Sequence, residues 1–132
     1  MKYVSLLLLV LSMSSAAYAE DAATPPTQTA YVSLTPALVG NYGAGTKLKY
    51  YKADIALRVQ AEHVASVEYH EPLIRDQLIQ LFAQQSDENM QGAEGKEAVR
   101  KAALEQVRQV LNQEEGQPLV EDLLFNNLVV QP

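Results

Sequence analysis

The sequence predicts an α+β fold: a small sheet with two consecutive helices packed on it. Three observations carry this. Leu48 to Gln60 alternates, with Tyr51, Ala53, Ile55, Leu57 and Val59 on one face and Lys52, Asp54, Arg58 and Gln60 on the other. That is the signature of a half-buried strand. Two stretches of helical periodicity follow with a mainly polar break between them, and an apolar β-rich run closes the chain. The order strand, strand, helix, helix, strand puts both helices on one side of the sheet.

The first 19 residues read as a signal peptide. Lys2 opens a short positive region, an apolar run from Val4 to Leu11 follows, and Ala17-Tyr18-Ala19 is a small-residue cleavage site with Glu20 as the first mature residue. A retained anchor is the alternative, but a membrane-spanning helix needs ~20 apolar residues. Residues 20–30 form a polar leader with adjacent Pro25 and Pro26, which favour extended chain. Residues 31–132 form the domain.

Within it, Tyr31 to Thr35 reads as a short strand stopped by Pro36, and Asn41 to Thr46 as a glycine-bearing turn. Glu62 to Tyr69 is compatible with a helical turn or a loop. Pro72 suits a helix first turn, and Leu73, Ile74, Leu78, Leu81 and Phe82 recur behind it at helical spacing. Ser86 to Gly92 is a polar break. Ala93 to Glu115 is the second helix, with Val99, Ala103, Val107, Val110 and Leu111 as its apolar stripe, Glu97 and Lys101 as an i,i+4 pair, and Gly116 at its end. Leu119 to Gln131 is the last strand. Simple alternation puts Leu124, Asn126, Leu128 and Val130 on one face and Leu123, Phe125 and Val129 on the other.

The chain has 132 residues, enough for one domain, and a net charge of −6. The acidic balance argues against nucleic acid, which needs clustered Lys and Arg. With no cysteine there are no disulfides, thiolate metal sites or cysteine nucleophiles. An exported chain without cysteine suits a bacterial periplasm. His63 and His70, with Glu62 and Glu71, lack metal-ligand spacing, because seven residues of helix separate them by ~10 Å. Gly40 to Gly45 lacks the ending of a phosphate loop and reads as a hairpin turn. Glu114-Glu115 and Glu121-Asp122 are charge pairs at element ends. No catalytic residue, cofactor site or metal site is expected. Tyr50 and Tyr51 face opposite ways, so one is core and the other exposed. Arg75 and Asp76 suit an internal network or an interface equally. Contact residues are not assignable.

Five segments in order resemble the flagellar basal body-associated FliL family: Tyr31-Val32-Ser33-Leu34-Thr35-Pro36, the strand Tyr51 to Val59, Pro72-Leu73-Ile74-Arg75-Asp76-Gln77-Leu78-Ile79, Glu94-Gly95-Lys96-Glu97, and Val120-Glu121-Asp122-Leu123-Leu124-Phe125 closing on Val129-Val130-Gln131. The resemblance covers Tyr31 to Gln131. It implies a periplasmic domain similar to the stomatin (SPFH) fold, without enzyme activity. It also implies a ring-forming homo-oligomer at the inner membrane and basal body, whose partners are stator and basal-body proteins and whose role is in swimming, swarming and chemotaxis. The family usually carries a basic cytoplasmic tail and an uncleaved membrane helix. This chain looks like a variant with an export signal in that place, so membrane contact is expected through partners, or through the N-terminal segment if it is retained. The alternative is a soluble periplasmic binding or assembly factor unrelated to motility.

Overall fold

The computed structural model describes residues 28–131. The expected cleavage site at Ala19 and Glu20 lies outside them, as does most of the leader. The architecture is α+β, an antiparallel sheet with helices on one face. Its elements are β1 (Thr29–Ser33), β2 (Leu38–Tyr42), β3 (Lys49–Gln60), a 3₁₀ turn (Ala61–His63), α1 (Val64–Tyr69), α2 (Glu71–Ala83), α3 (Asp87–Gln91), α4 (Ala93–Glu115) and β4 (Val120–Gln131). β1 begins at Thr29, inside the span expected to be leader.

β3 is the axis of the sheet. Val59 pairs with Ala30 of β1 on one side and Val120 of β4 on the other, and Tyr51 pairs with Gly40 of β2 and Val130 of β4. β1 and β2 therefore lie end to end along one edge of β3, two halves of a strand interrupted at Leu34 to Ala37, where the Thr35–Pro36 peptide is cis. β4 runs along the other edge. All five apolar positions expected to face inward on β3 are buried.

β2 is absent from the sequence reading, and Gly40 is the reason. It occupies an inward position without a side chain, so the alternation is broken there. Tyr51 fills the space: a Cβ on Gly40 would lie 2.7 Å from the Tyr51 hydroxyl. The glycine turn starts at Gly43, after β2 ends.

β4 corrects the expected faces. Its pairing with β3 shifts register between Asp54 and Ile55 and again between Arg58 and Val59, leaving Asn126 and Glu121 as extra residues. These bulges reset the alternation. Val120, Leu123, Phe125, Leu128 and Val130 thereby lie opposite the inward residues of β3. Without them, Phe125 and Leu128 would face opposite ways.

In the helical layer, α2 carries Pro72 in its first turn and buries Ile74, Leu78 and Phe82, whereas Leu73 is exposed. Tyr51 and Phe82 stack with centroids 4.7 Å apart, and Phe125 packs at 6.0 Å from Phe82. The polar break contains a short helix, α3. Its Ser86 hydroxyl accepts a 3.2 Å bond from the Asn89 N–H, and Met90 is buried. Five helical residues between Ser86 and Gly92 are too few to show a period. α4 matches its expected span and stripe, and Gly116 ends it at φ +74. Among the described residues no helix is long and apolar enough to cross a membrane.

Gly95 lets α4 meet α3. A Cβ there would lie 2.5 Å from the Asn89 Cα and 2.6 Å from the Glu88 carbonyl oxygen. Gly95→Ala gains ~1 kcal/mol of helix propensity and meets backbone that cannot rotate away, an overpacking cost of ~1–3 kcal/mol. The clash wins. Urea denaturation should show a net loss of up to about 2 kcal/mol for Gly95→Ala, from those two magnitudes; a gain would mean α3 does not hold this position.

Candidate interaction surfaces

A subset of the charged side chains joins the elements of the domain. Arg100 on α4 donates to Asp122 at 2.7 Å, to the Leu123 carbonyl at 3.1 Å and to both Glu97 oxygens. The hydrogen bond from Arg100 holds the Glu97 carboxyl below its usual range, and the same bond pushes the guanidinium up. Arg108 donates to the Val120 carbonyl. Arg58 pairs with Glu121 at 3.3 Å across β3 and β4. Lys49 of β3 pairs with Asp87 of α3.

The sequence candidates are paired mostly within their own elements, with His70 the exception. His70 sits at the α1–α2 corner and meets Glu115, at the end of α4, at 2.7 Å. His63 lies 3.5 Å from its neighbour Glu62. Glu71 accepts from Arg75 at 2.8 Å. The two histidines and two glutamates therefore have separate partners and do not converge. Asp76 accepts from Gln80 at 2.9 Å, so Arg75 and Asp76 belong to intrahelical pairs. Glu97 pairs with Arg100 one turn away, not with Lys101. Arg100 also reaches Asp122, which rewards that choice. Among the described residues no group of three or more His, Asp or Glu is placed to hold a metal ion.

Exposed apolar side chains occupy two sides of the molecule. On the helical side, Tyr69 is 80% exposed, and Leu73 follows it one turn later. On the outer face of the sheet stand Tyr31, Val39, Tyr50 and Val129, with Val39 64% exposed. Tyr51 is the core tyrosine of its pair and Tyr50 the exposed one. Val39, Lys52 and Val129 lie side by side across β2, β3 and β4. With Tyr50, Asn127 and Gln131 they line a shallow groove of about 310 Å³. Sequence reasoning missed this groove because Val39 and Val129 lie on strands whose facing it could not fix.

Two comparisons with known proteins bear on these surfaces. The family model described as flagellar basal body-associated protein FliL matches residues 31–131. No curated protein matches the chain.

The buried tyrosine gives a test of the packing beneath the groove. The Tyr51 hydroxyl has no hydrogen-bond partner among the described residues, and burial pushes its pKa up to about 12. An unfolded tyrosine titrates near ~10. Below that pH both states hold the proton and stability is unaffected. Between about 10 and 12 only the folded state holds it, so stability falls as pH rises. The urea midpoint should drop between pH 10 and about 11.5, within that window, and drop less in Tyr51→Phe. At pH 7 the variant should lose under ~1 kcal/mol, because no hydrogen bond is removed. Equal alkaline losses in both proteins would show that Tyr51 is not the buried group.

Proposed function

The chain belongs to the FliL family, and on that premise we propose that it is a non-enzymatic flagellar basal-body protein that supports swimming, swarming and chemotaxis by contact with the stator. The observation that carries the reading is the family match over residues 31–131, nearly all of the described domain. The working place in this reading is the periplasm beside the inner membrane, reached by export and cleavage between Ala19 and Glu20. Supporting it, exposed apolar side chains stand on two sides of the domain.

Deleting the gene should reduce swimming and swarming spread while filaments still assemble, and the intact gene should restore spread. Unchanged motility would overturn the reading and favour a soluble periplasmic factor. That alternative rests on the Ala17-Tyr18-Ala19 site, and a protein recovered with Glu20 at its N-terminus would support the export step common to both.

The two exposed sides also support self-association by a heterologous contact, in which one patch of each copy meets a different patch of the next. Light scattering should then find species above monomer mass. Leu73→Glu and Tyr31→Glu should each reduce the mass to monomer. A mixture of the two should recover a dimer, since each copy keeps one intact patch. A monomer of wild-type chain at high concentration would sink this contact.

A further inference from the structure

Large apolar side chains left in solvent gather at one end of the sheet. Leu48 stands at the loop end of β3 and Val39 on β2, each 64% exposed. Tyr50 and Val129 share the outer face with Val39 and are exposed as well. The connection from Gly43 to Leu48 is exposed throughout. The charges of this tip are lysines. From Ser33 to Ala53 the chain carries Lys47, Lys49 and Lys52 and no carboxylate, in a protein of net charge −6. β4 adds no charge from Leu123 to Gln131. Lys49 turns to the helical side and pairs with Asp87. Lys47 and Lys52 are exposed, and no carboxylate lies within ion-pair distance of either among the described residues.

Carboxylates border the tip without belonging to it. Glu88 and Glu94 lie on α3 and α4, on the helical side. Asp54 is on the outer face, half-buried opposite Asn127. At ~3.3 Å per residue, Tyr50 stands ~7 Å behind Leu48, Lys52 ~13 Å and Asp54 ~20 Å. Exposed charges act over ~8 Å at physiological salt. Asp54 therefore offsets Lys52 in part and does not reach Lys47, in the connection beyond Leu48. The order from the tip inward is aliphatic, tyrosine, lysine. A membrane surface sorts side chains in that order, with aliphatic groups at the acyl boundary, tyrosine rings at the headgroups and lysine stems reaching back to the phosphates. Apolar groups enter such a surface by ~5–10 Å. Oblique entry with Leu48 leading brings Tyr50, Val39 and Val129 to the headgroups and leaves Asp54 in water. We propose that the β2–β3 tip docks this domain on an anionic lipid surface, with Leu48 inserted and Lys47 and Lys52 meeting lipid phosphates.

Size selects a lipid surface over a partner protein. A stable protein interface takes roughly 20–30 residues from each side. Here the apolar and basic surface ends at Asp54 along the strand and at Glu88 on the helical side. A lipid surface asks for a few inserted side chains and one or two lysines. A second copy docked through the same tip would set Lys47 and Lys52 against their own kind. The contact is peripheral, in keeping with the absence of a membrane-crossing helix among the described residues. The inference goes beyond the motility reading and does not depend on it.

The chain has no tryptophan, so one introduced at the tip reports alone. Leu48→Trp and, as a control on the helical side, Tyr69→Trp replace residues that stand largely in solvent. Each full-length variant is mixed with vesicles of three parts phosphatidylcholine to one part phosphatidylglycerol, and with phosphatidylcholine alone. Emission from Leu48→Trp should shift to the blue on the anionic vesicles, and emission from Tyr69→Trp should not. In flotation of the full chain, Lys47→Glu combined with Lys52→Glu should weaken binding at least roughly tenfold, since each lysine near an anionic surface is worth about fivefold. A shift at both positions, a shift at neither, or an equal shift on both kinds of vesicle overturns the proposal. So does vesicle binding unchanged by the lysine reversals, which would assign it to another segment of the chain. If Leu48→Trp fails to fold, flotation of the wild-type chain against the lysine variant still decides. No shift at the tip together with reduced spread in the deletion strain would reject this surface and leave the motility reading standing.

Discussion

Everything in this domain is registered on β3. It is twelve residues long, it is paired along both edges, and every second side chain from Tyr51 to Val59 is buried. A strand in that position imposes its face on its neighbours, because directly opposite residues share a side of the sheet. β1, β2 and β4 must each supply apolar side chains on the same side, and the helices must lie there. Burial of each aliphatic side chain is worth ~1.5–3 kcal/mol, so a register slip of one residue would forfeit several such terms together. The break at Leu34 to Ala37 and the two bulges in β4 are local departures from regular pairing that keep this one constraint satisfied.

That constraint also explains what was legible in the sequence. β3 and α4 could be read directly because each repeats its own period for more than ten residues and α4 has a glycine stop. β2 could not, since the residue that should mark its inward face is Gly40, and the ring that fills the place belongs to Tyr51 on another strand. The faces of β4 could not be read because a bulge is set by the partner strand. Local alternation in Leu124 to Val130 gives no warning that Asn126 is extra. α3 is five residues long and shows itself only through the Ser86 cap and the burial of Met90. The groove depended on the two strands whose facing was hidden, and so it was hidden with them.

The residues that make the family resemblance readable have a common character. Pro72 starts α2, Gly95 admits the α3 backbone, Glu97 and Asp122 hold Arg100, and Phe125 packs on Phe82. These are positions that determine the fold. The ion pairs among them are partly exposed and individually worth ~0–1 kcal/mol, so they act more through the geometry they fix than through the energy they add. Lys49 to Asp87, Arg58 to Glu121, Arg100 to Asp122 and His70 to Glu115 each join two different elements or an element to a corner. A motif made of such residues identifies the family and the architecture. It carries little about which surface a partner touches, and the most exposed large apolar residues, Tyr69, Val39 and Leu48, stand outside those motifs.

The placement of α4 connects the fold to its remaining open surface. A long strand at a sheet edge presents unpaired N–H and C=O groups, and this domain meets that problem with guanidinium groups rather than with another strand. Arg100 and Arg108 lie two helical turns apart and reach the carbonyls of Leu123 and Val120, so they shield the first third of β4. The first turn of α4 is held against α3 at Gly95, and no further arginine lies upstream of Arg100 on the helix. Protection therefore ends where the helix turns to α3. The outer face beside the unguarded end carries Val39, Tyr50 and Val129 around a single lysine. Covering the edge with one helix thus divides β4 into a guarded first third tied to α4 and a longer remainder whose outward groups are met by no side chain among the described residues.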